Sequence, residues 1–208
     1  MRSCTPYGTD AASPLEARRL SLRALPRHFY ARETEVVARD LIGRVLECTR
    51  RGVRVRGIIT ETEAYLGEHD PACHAAVGRT ARTAGLYGPP GTAYVYFIYG
   101  MYWCVNAVTR AEGLPSAVLI RGVHPLDGLP AMRRRRPRAR TDAELADGPG
   151  KLCLAFGIDG PAHHGADLVR GAGLRILEGA AVGDAAVSVT PRIGISKAKD
   201  WPLRWVMR

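Results

Sequence analysis

Two glutamates, Glu61 and Glu63, follow an apolar run and are the first candidates for acid–base chemistry. In a β-strand every second side chain points to the same face, so one face is predicted to carry apolar residues and then both carboxylates. The residues on that predicted face are Val53, Val55, Ile59, Glu61, Glu63 and Tyr65. An ionised carboxylate beside apolar groups is costly unless it is paired or hydrogen-bonded. The segment therefore predicts either a structural ion pair or a chemical role.

The chemical alternative assigns Glu63 as a general base that activates a water molecule. The structural alternative makes Glu63 a strand-end carboxylate that pairs with an arginine. Glu61 fits the structural alternative better, because only one of two neighbouring carboxylates is needed as the base. The sequence segment alone leaves both interpretations of Glu63 open.

Aromatic residues form a second candidate site. The tyrosines concerned are Tyr65, Tyr94, Tyr96, Tyr99 and Tyr102. They fit either a stacking platform for nucleic-acid bases, with Tyr99 inserted into a duplex, or a packed aromatic hairpin. Strand alternation places Tyr94 and Tyr96 on one side and Tyr99 on the other, so they do not share one role. His74 lies among polar loop residues and fits a structural hydrogen bond as well as a site.

The elements that position these residues are short. An apolar stripe from Val37 to Ile42 predicts a helix that begins near Glu33 and ends at Gly43. Residues 44–49 predict a strand that forms a hairpin with the glutamate strand, and two further strands turn near Tyr99. Residues 67–91 predict a long loop that is either functional or disordered, and residues 116–121 predict another short strand. This mixture predicts an α+β domain around a mostly antiparallel sheet.

Length and composition limit the classes of protein. The 208 residues, 46% of them apolar, fit a single domain, predicted over residues 25–208 after a mobile tail of residues 1–24 with a short helix from Pro14. The net charge of +10 indicates a polyanionic partner, either nucleic acid or an acidic membrane surface. The arginine-rich residues 133–140 fit phosphate binding or a solvated loop. No apolar run reaches the ~18 residues of a membrane span, and the first 30 residues lack the apolar core of a secretory signal, which predicts a soluble intracellular protein.

Cysteine and histidine spacing argues against a metal site. The five cysteines are widely spaced and never form a C-x-x-C pair, which predicts reduced thiols. The nearest approximations to a metal site are Cys73-His74 and His163-His164, where the two residues are adjacent rather than spaced as zinc ligands are. No metal is therefore predicted.

The ordered motifs resemble the alkyladenine (3-methyladenine) DNA glycosylase family of base-excision repair. The motifs that carry the resemblance are ETEAYLG (61–67), DPACH (70–74), GPPG (88–91), YVYFIYGMYWCVN (94–106), GPGKLC (148–153) and RIGI (192–195). The resemblance runs from about Leu25 to the C-terminus. The chain departs from the family pattern at residues 79–83, which read Arg-Thr-Ala-Arg-Thr where the family usually has Arg-Thr-Pro-Arg-Asn.

The resemblance implies a role for each matching residue. Glu63 matches the general base, Arg121 an arginine that helps to hold the attacking water, and Ile193 a residue whose carbonyl is a third contact. The pocket that sandwiches an extruded base is matched by Tyr65, His74 and Tyr96. Asn106 matches the residue that guards against the amino group of guanine, and Tyr99 matches the side chain that fills the vacated stack.

The resemblance also implies a fold and an activity. The fold would be a single domain with a curved central sheet, flanking helices and a protruding β-hairpin. The activity would be that of a monofunctional DNA glycosylase, which flips a damaged purine out of double-stranded DNA, hydrolyses its N-glycosidic bond and leaves an abasic site. We expect no cofactor, no membrane partner, a monomer, and a cytoplasmic or nucleoid-associated location.

Two other classes of protein remain as alternatives at this stage. One is a basic DNA-binding module that keeps the scaffold without catalysis, and the other is a hydrolase of free nucleosides. Strand cleavage through a Schiff base would need an amine near the sugar. The lysines are Lys151, Lys197 and Lys199, and none lies in the glutamate or tyrosine segments. The sequence therefore predicts base release without strand cleavage.

Overall fold

A computed structural model describes residues 23–208. The predicted tail and its helix from Pro14 therefore lie mostly outside the described residues. The last two residues of the predicted tail are already bound to the domain. Arg23 accepts a hydrogen bond from the backbone of Glu178 at 3.0 Å, and Ala24 forms a β-bridge with Leu177.

The described residues form short helices around one sheet. The helices are α1 (Arg27–Tyr30), α2 (Thr34–Leu41), α3 (Leu129–Arg135), α4 (Pro149–Phe156) and α5 (Gly160–His163). The strands are β1 (Val45–Arg50), β2 (Val53–Tyr65), β3 (Ala93–Ile98), β4 (Tyr102–Thr109), β5 (Ser116–Asp127), β6 (Leu174–Leu177), β7 (Val187–Thr190) and β8 (Arg204–Met207). The sheet order is β3-β4-β5-β2-β1-β6, β8 joins β2 and β7, and every strand pair is antiparallel. The predicted single α+β domain is confirmed.

The long strand β2 changes its neighbour halfway along its length. Residues 53–58 pair with β1, residues 61–63 pair with β8, and β5 lies along the other edge. The pairing with β5 is irregular between Ile59 and Thr62. Ile59 and Ala64 therefore both enter the main core, although they are an odd number of residues apart. The predicted single face that joins Ile59 to Glu61 and Glu63 is wrong, because the irregularity moves the glutamates to the opposite face.

The hairpin of β3 and β4 ends in a tight turn. The Met101 N–H donates to the carbonyl oxygen of Ile98 at 3.2 Å, and Tyr99 and Gly100 have φ angles of 54° and 66°. Positive φ at both central residues is typical of a type I′ turn, which suits the twist of a hairpin. The predicted turn near Tyr99 is confirmed.

Two sequence predictions need adjustment elsewhere. Strand β5 does not end at Arg121 but continues to Asp127, because its pairing with β2 continues as far as Arg56. The loop of residues 67–91 is partly ordered by 3₁₀ helices at His74–Val77 and Ala84–Tyr87.

No helix among residues 23–208 is long and apolar enough to cross a membrane.

The arginine-rich segment of residues 133–140 uses several of its donors inside the domain. Arg133 pairs with Asp142 at 2.6 Å, Arg135 donates to the carbonyl oxygen of Ala155 at 2.9 Å, and Arg136 donates to that of Glu144 at 3.4 Å. These contacts give part of the segment a structural role.

Candidate active site

One cavity of about 780 Å³ collects nearly all of the predicted site residues. Its walls come from the loop of residues 67–91, the β3–β4 hairpin, β5, the start of α4 and the segment between β7 and β8. The predicted residues that line it are Tyr65, His74, Tyr96, Tyr99, Asn106, Arg121 and Ile193. Glu63 does not line the cavity but lies directly behind Tyr65, Arg121 and Ile193, all of which contact it.

Glu63 is fully buried and accepts hydrogen bonds from three groups. The backbone N–H of Ile193 donates to Oε1 at 2.7 Å. The Tyr65 hydroxyl donates to Oε2 at 2.9 Å, and the Arg121 guanidinium donates to the same oxygen at 3.3 Å. A carboxylate offers about four lone-pair sites, so these three donors fix its orientation and leave about one site for a water molecule.

The ionisation of Glu63 is balanced between burial and its donors. Burial raises the pKa of Glu63 above its ordinary value, because the charged form loses its hydration. The charge of Arg121 and the hydrogen bonds from Ile193 and Tyr65 oppose that rise in pKa, while the neighbouring charge of Glu61 adds to it. A carboxylate with a raised pKa is a stronger proton acceptor than an ordinary glutamate.

Glu61 belongs to a separate ion-pair network at the edge of the site. Its Oε1 atom accepts from Arg121 Nε at 2.9 Å and from Arg204 Nε at 2.5 Å. Arg204 lies on β8 and also donates to the Thr190 hydroxyl at 3.0 Å. Arg121 therefore bridges the two glutamates, and the structural role predicted for Glu61 agrees with its contacts.

His74, Tyr94 and Tyr96 form an aromatic wall of the cavity, in which the rings make edge-to-face contacts and the Tyr94 hydroxyl has two hydrogen-bond partners. The rings of His74 and Tyr96 meet edge to face with centroids 4.5 Å apart. Nδ1 of His74 is 3.1 Å from the Tyr94 hydroxyl, which also donates to the carbonyl oxygen of Arg82 at 3.3 Å. Burial and the nearby charge of Arg82 lower the pKa of His74, so its imidazole is neutral at pH 7.

Asn106 lies deep in the cavity, whereas Tyr99 lies at its exposed edge. Asn106 is buried, and its Nδ2 donates to the carbonyl oxygen of Tyr94 at 3.0 Å. This bond fixes the side-chain amide across the β3–β4 pair. Tyr99 lies at the hairpin tip with 74% of its surface exposed. A bulky residue with positive φ is an unfavourable backbone state, so an exposed Tyr99 there is typical of a functional position.

The sequence prediction did not assign a role to a buried ion pair at this site. Arg192 donates to both carboxylate oxygens of Asp70, at 2.5 and 2.8 Å, and both side chains are fully buried. The Arg192 guanidinium also lies 4.7 Å from the centre of the Tyr65 ring. Both residues belong to motifs that carry the resemblance, but nothing in the local sequence of either residue indicates its partner.

The altered loop of residues 79–83 is closed by its two threonines. Thr83 is buried, and its hydroxyl donates to the carbonyl oxygen of Gly78 at 2.9 Å. The same hydroxyl accepts the backbone N–H of Thr80 at 2.7 Å. Arg82 of this loop lines the cavity. The loop therefore keeps a defined shape without the proline and asparagine of the family pattern.

Lysines are closer to the site than their sequence positions suggested. Both Lys151 and Lys197 line the cavity. Lys151 pairs with Asp147 at 2.9 Å, and Lys197 is exposed on the segment between β7 and β8. The position of these lysines outside the glutamate and tyrosine segments therefore does not keep them from the cavity, and the predicted absence of strand cleavage stays a prediction.

The residues considered for metal binding have other partners. His163 lies 3.6 Å from the Cys48 sulfur, whereas Nδ1 of His164 contacts the backbone of Val95. Burial raises the pKa of Cys48 to about 11, so its sulfur stays protonated. No group of three or more His, Cys, Asp or Glu side chains in residues 23–208 is arranged to hold a metal ion.

Comparisons with known proteins place this geometry in context. The family model for methylpurine-DNA glycosylase (MPG) matches residues 28–208. A Methanocella arvoryzae protein, provisionally named a 3-methyladenine DNA glycosylase, is 49% identical over 86% of this chain and 88% of its own length. Proteins with the same name from Myxococcus xanthus and Carboxydothermus hydrogenoformans are 49% and 44% identical, each over 88% of this chain and over 89% and 95% of their own lengths.

Proposed function

The chain belongs to the methylpurine-DNA glycosylase family, and from that premise we propose that it removes alkylated or deaminated purines from double-stranded DNA. As a DNA glycosylase it is a hydrolase of N-glycosyl bonds. The observation that supports the proposed chemistry best is the fully buried Glu63, held by three donors behind an aromatic cavity.

The cavity suits a base that has left the duplex. An enzyme cannot reach the glycosidic bond of a stacked base, so the nucleotide is extruded into a pocket. A volume of about 780 Å³ lies in the range of small-molecule pockets and accommodates a purine nucleotide. Tyr65 on one side and His74 with Tyr96 on the other would sandwich the base, while Tyr99 fills the gap left in the stack.

Hydrolysis then needs one water molecule and one base. Glu63 accepts a proton from water as the oxygen attacks C1′ of the sugar, and the bond to the purine nitrogen breaks with its electron pair on the base. Arg121 and the carbonyl of Ile193 would hold the water. The three donors to Glu63 screen it from the cavity, so the water enters between Arg121 and Ile193, where it reaches the remaining lone pair.

Recognition of the correct purine is assigned to buried polar groups. Asn106 has its amide fixed by Tyr94, so its position relative to the base edge does not adapt to a guanine amino group. The positively charged chain attracts DNA, and the proposed partner is double-stranded DNA with damaged purines inside the cell. The protein is proposed to act as a monomer without a cofactor.

The two alternative functions account for less of this site. A non-catalytic DNA-binding module has no use for the lone-pair site that the three donors of the buried Glu63 leave open beside the cavity. A hydrolase of free nucleosides has no use for an exposed tyrosine held with positive φ at a hairpin tip. Both features fit an enzyme that extrudes a base from a duplex.

The test is to incubate the protein with duplex DNA that carries one 3-methyladenine or hypoxanthine. Release of the free base, with strand breakage only after alkali, would support a monofunctional glycosylase. Borohydride should trap no covalent complex. A trapped complex that disappears in Lys197→Ala, but persists in the control Lys199→Ala, would replace water with an amine as the nucleophile. Chelator should leave the rate unchanged.

A further inference from the structure

The buried pair of Arg192 and Asp70 lies directly behind the tyrosine that forms one side of the proposed base sandwich. The Arg192 guanidinium covers one face of the Tyr65 ring at 4.7 Å, so only the opposite ring face is open to a ligand. A guanidinium at this distance makes a cation–π contact. Tyr65 therefore stacks on a positive charge on one side before any base arrives on the other.

The pair is tied to the backbone on both sides of Tyr65. Arg192 donates to the carbonyl oxygen of Ala64 at 3.0 Å, while Asp70 accepts the N–H groups of Leu66 and Ala72 at 3.1 and 3.0 Å. The residue after Arg192 supplies the N–H that holds Glu63. One ion pair thus connects the stacking ring to the segment that orients the proposed catalytic base.

The charge of Arg192 has a consequence for the purine that stacks on Tyr65. A base in stacking contact, about 3.5 Å from the ring, would lie about 8 Å from the guanidinium carbon. Many alkylated purines are cationic, and an unpaired arginine at that distance would repel them. At an effective dielectric constant of ~20, this repulsion would lower the occupancy of the pocket by a cationic base by a factor of roughly ten or more. Asp70 cancels this charge.

We propose that Asp70 and Arg192 are specificity-determining positioning residues, which hold Tyr65 rigidly while leaving no net charge behind it, so that the site accepts cationic purines. This inference rests on the proposed function, because it takes Tyr65 as the stacking ring. It extends that function by naming the charge class of substrate that the back of the pocket is built to tolerate.

The variant that tests the proposal is Asp70→Asn, which leaves Arg192 charged without its partner. We measure single-turnover excision of cationic 3-methyladenine and neutral hypoxanthine, neither of which carries the amino group of guanine, from otherwise identical duplexes. Because the ratio of the two rates comes from one enzyme sample, a smaller folded fraction cancels out. We expect the ratio of cationic to neutral excision to fall about tenfold, and Asp70→Asn/Arg192→Gln to restore it to within about twofold of the wild-type ratio.

A matched control is available at a buried carboxylate that does not line the cavity. Glu47 is also buried and is bound by Arg56 at 2.7 Å and by Arg175. Glu47→Gln therefore breaks a comparable ion pair, and it should destabilise the protein while leaving the ratio unchanged. Equal losses of both rates in Asp70→Asn, with an unchanged ratio, would reduce the pair to a structural role and overturn the proposal.

The remaining outcomes are also decisive. If Asp70→Asn does not fold, Arg192→Gln is measured instead, because it leaves the Asp70 carboxylate with its two backbone donors. The ratio must then rise in favour of the cationic base, and an unchanged ratio overturns the proposal. If the wild-type protein releases neither base, the proposed function itself fails, and this result differs from any change of ratio among active variants.

Discussion

Glu61 and Glu63 are two residues apart and bind the same arginine. Exchanging each of them for glutamine in turn therefore distinguishes the loss of a catalytic base from the loss of a negative charge. Both substitutions remove one negative charge beside Arg121. Only Glu63→Gln removes the proposed proton acceptor. We expect Glu63→Gln to abolish measurable base release and Glu61→Gln to weaken it mildly.

The expected magnitudes follow from the contacts of each carboxylate. General base catalysis contributes about 10²- to 10⁴-fold to a rate, which sets the smallest loss for Glu63→Gln. A glutamine has one acceptor oxygen, so its NH₂ group must face either the Ile193 N–H or the Arg121 guanidinium, and this adds an unsatisfied donor. Glu61 is partly exposed and loses only its bonds to Arg121 and Arg204, which predicts a loss of less than about tenfold.

The assay is single-turnover excision from a duplex with one hypoxanthine, combined with binding to the same duplex and a thermal melt. Both variants should stay folded and bind damaged DNA nearly as well as the wild type. A rate for Glu63→Gln within about tenfold of the Glu61→Gln rate would refute the reasoning, because removal of the base would then matter no more than removal of a charge.

Four further predictions concern pH, backbone strain, intercalation and salt. Only ionised Glu63 accepts a proton, so excision should decrease as pH falls through the raised pKa of Glu63. Glu61→Gln removes a charge that raises this pKa, so it should shift the decrease in excision to lower pH. A pH profile that does not move in this variant would contradict the prediction. Tyr99→Asn should raise the melting temperature by about 2–8 °C, because it relieves roughly 1–2 kcal/mol of left-handed strain. The same variant should lose more excision on a paired duplex than on a single strand, and equal losses would contradict the intercalating role. Binding to duplex DNA should weaken steeply with salt, whereas a flat response would exclude phosphate contacts.

Local features of the fold were predictable from the sequence, whereas long-range contacts were not. The stripe from Val37 to Ile42 and the turn at Tyr99 depend on neighbouring residues. The turn occurs as predicted, and the predicted helix occurs at Thr34–Leu41, so it ends before the predicted Gly43. Arg192 and Asp70 are 122 residues apart, and nothing local in either segment indicates that they meet. The lysines at the cavity were missed for the same reason, because Lys151 reaches it through the start of α4.

The error in the predicted face of β2 has a physical cause that also explains how the site is built. Strict alternation would keep Glu61 and Glu63 on the face of Ile59, which packs in the core, and a buried ionised carboxylate there costs several kcal/mol. The irregular pairing before Thr62 turns both carboxylates away from that core. Gly122 lies opposite Glu61, where an added Cβ would come within 3.1 Å of the Glu61 Cβ atom.

Strand β8 replaces β1 as the neighbour of β2 at the position where the pairing of β2 with β5 is irregular. Strand β1 ends its pairing at Ile58, and β8 begins at Glu61 with Arg204 opposite Glu63. The exchange of strands brings an arginine to the glutamates and, through the segment before β8, the N–H of Ile193. One strand can therefore stabilise the core up to Ile59 and present a buried base beyond it, because the irregularity and the new neighbour occur together.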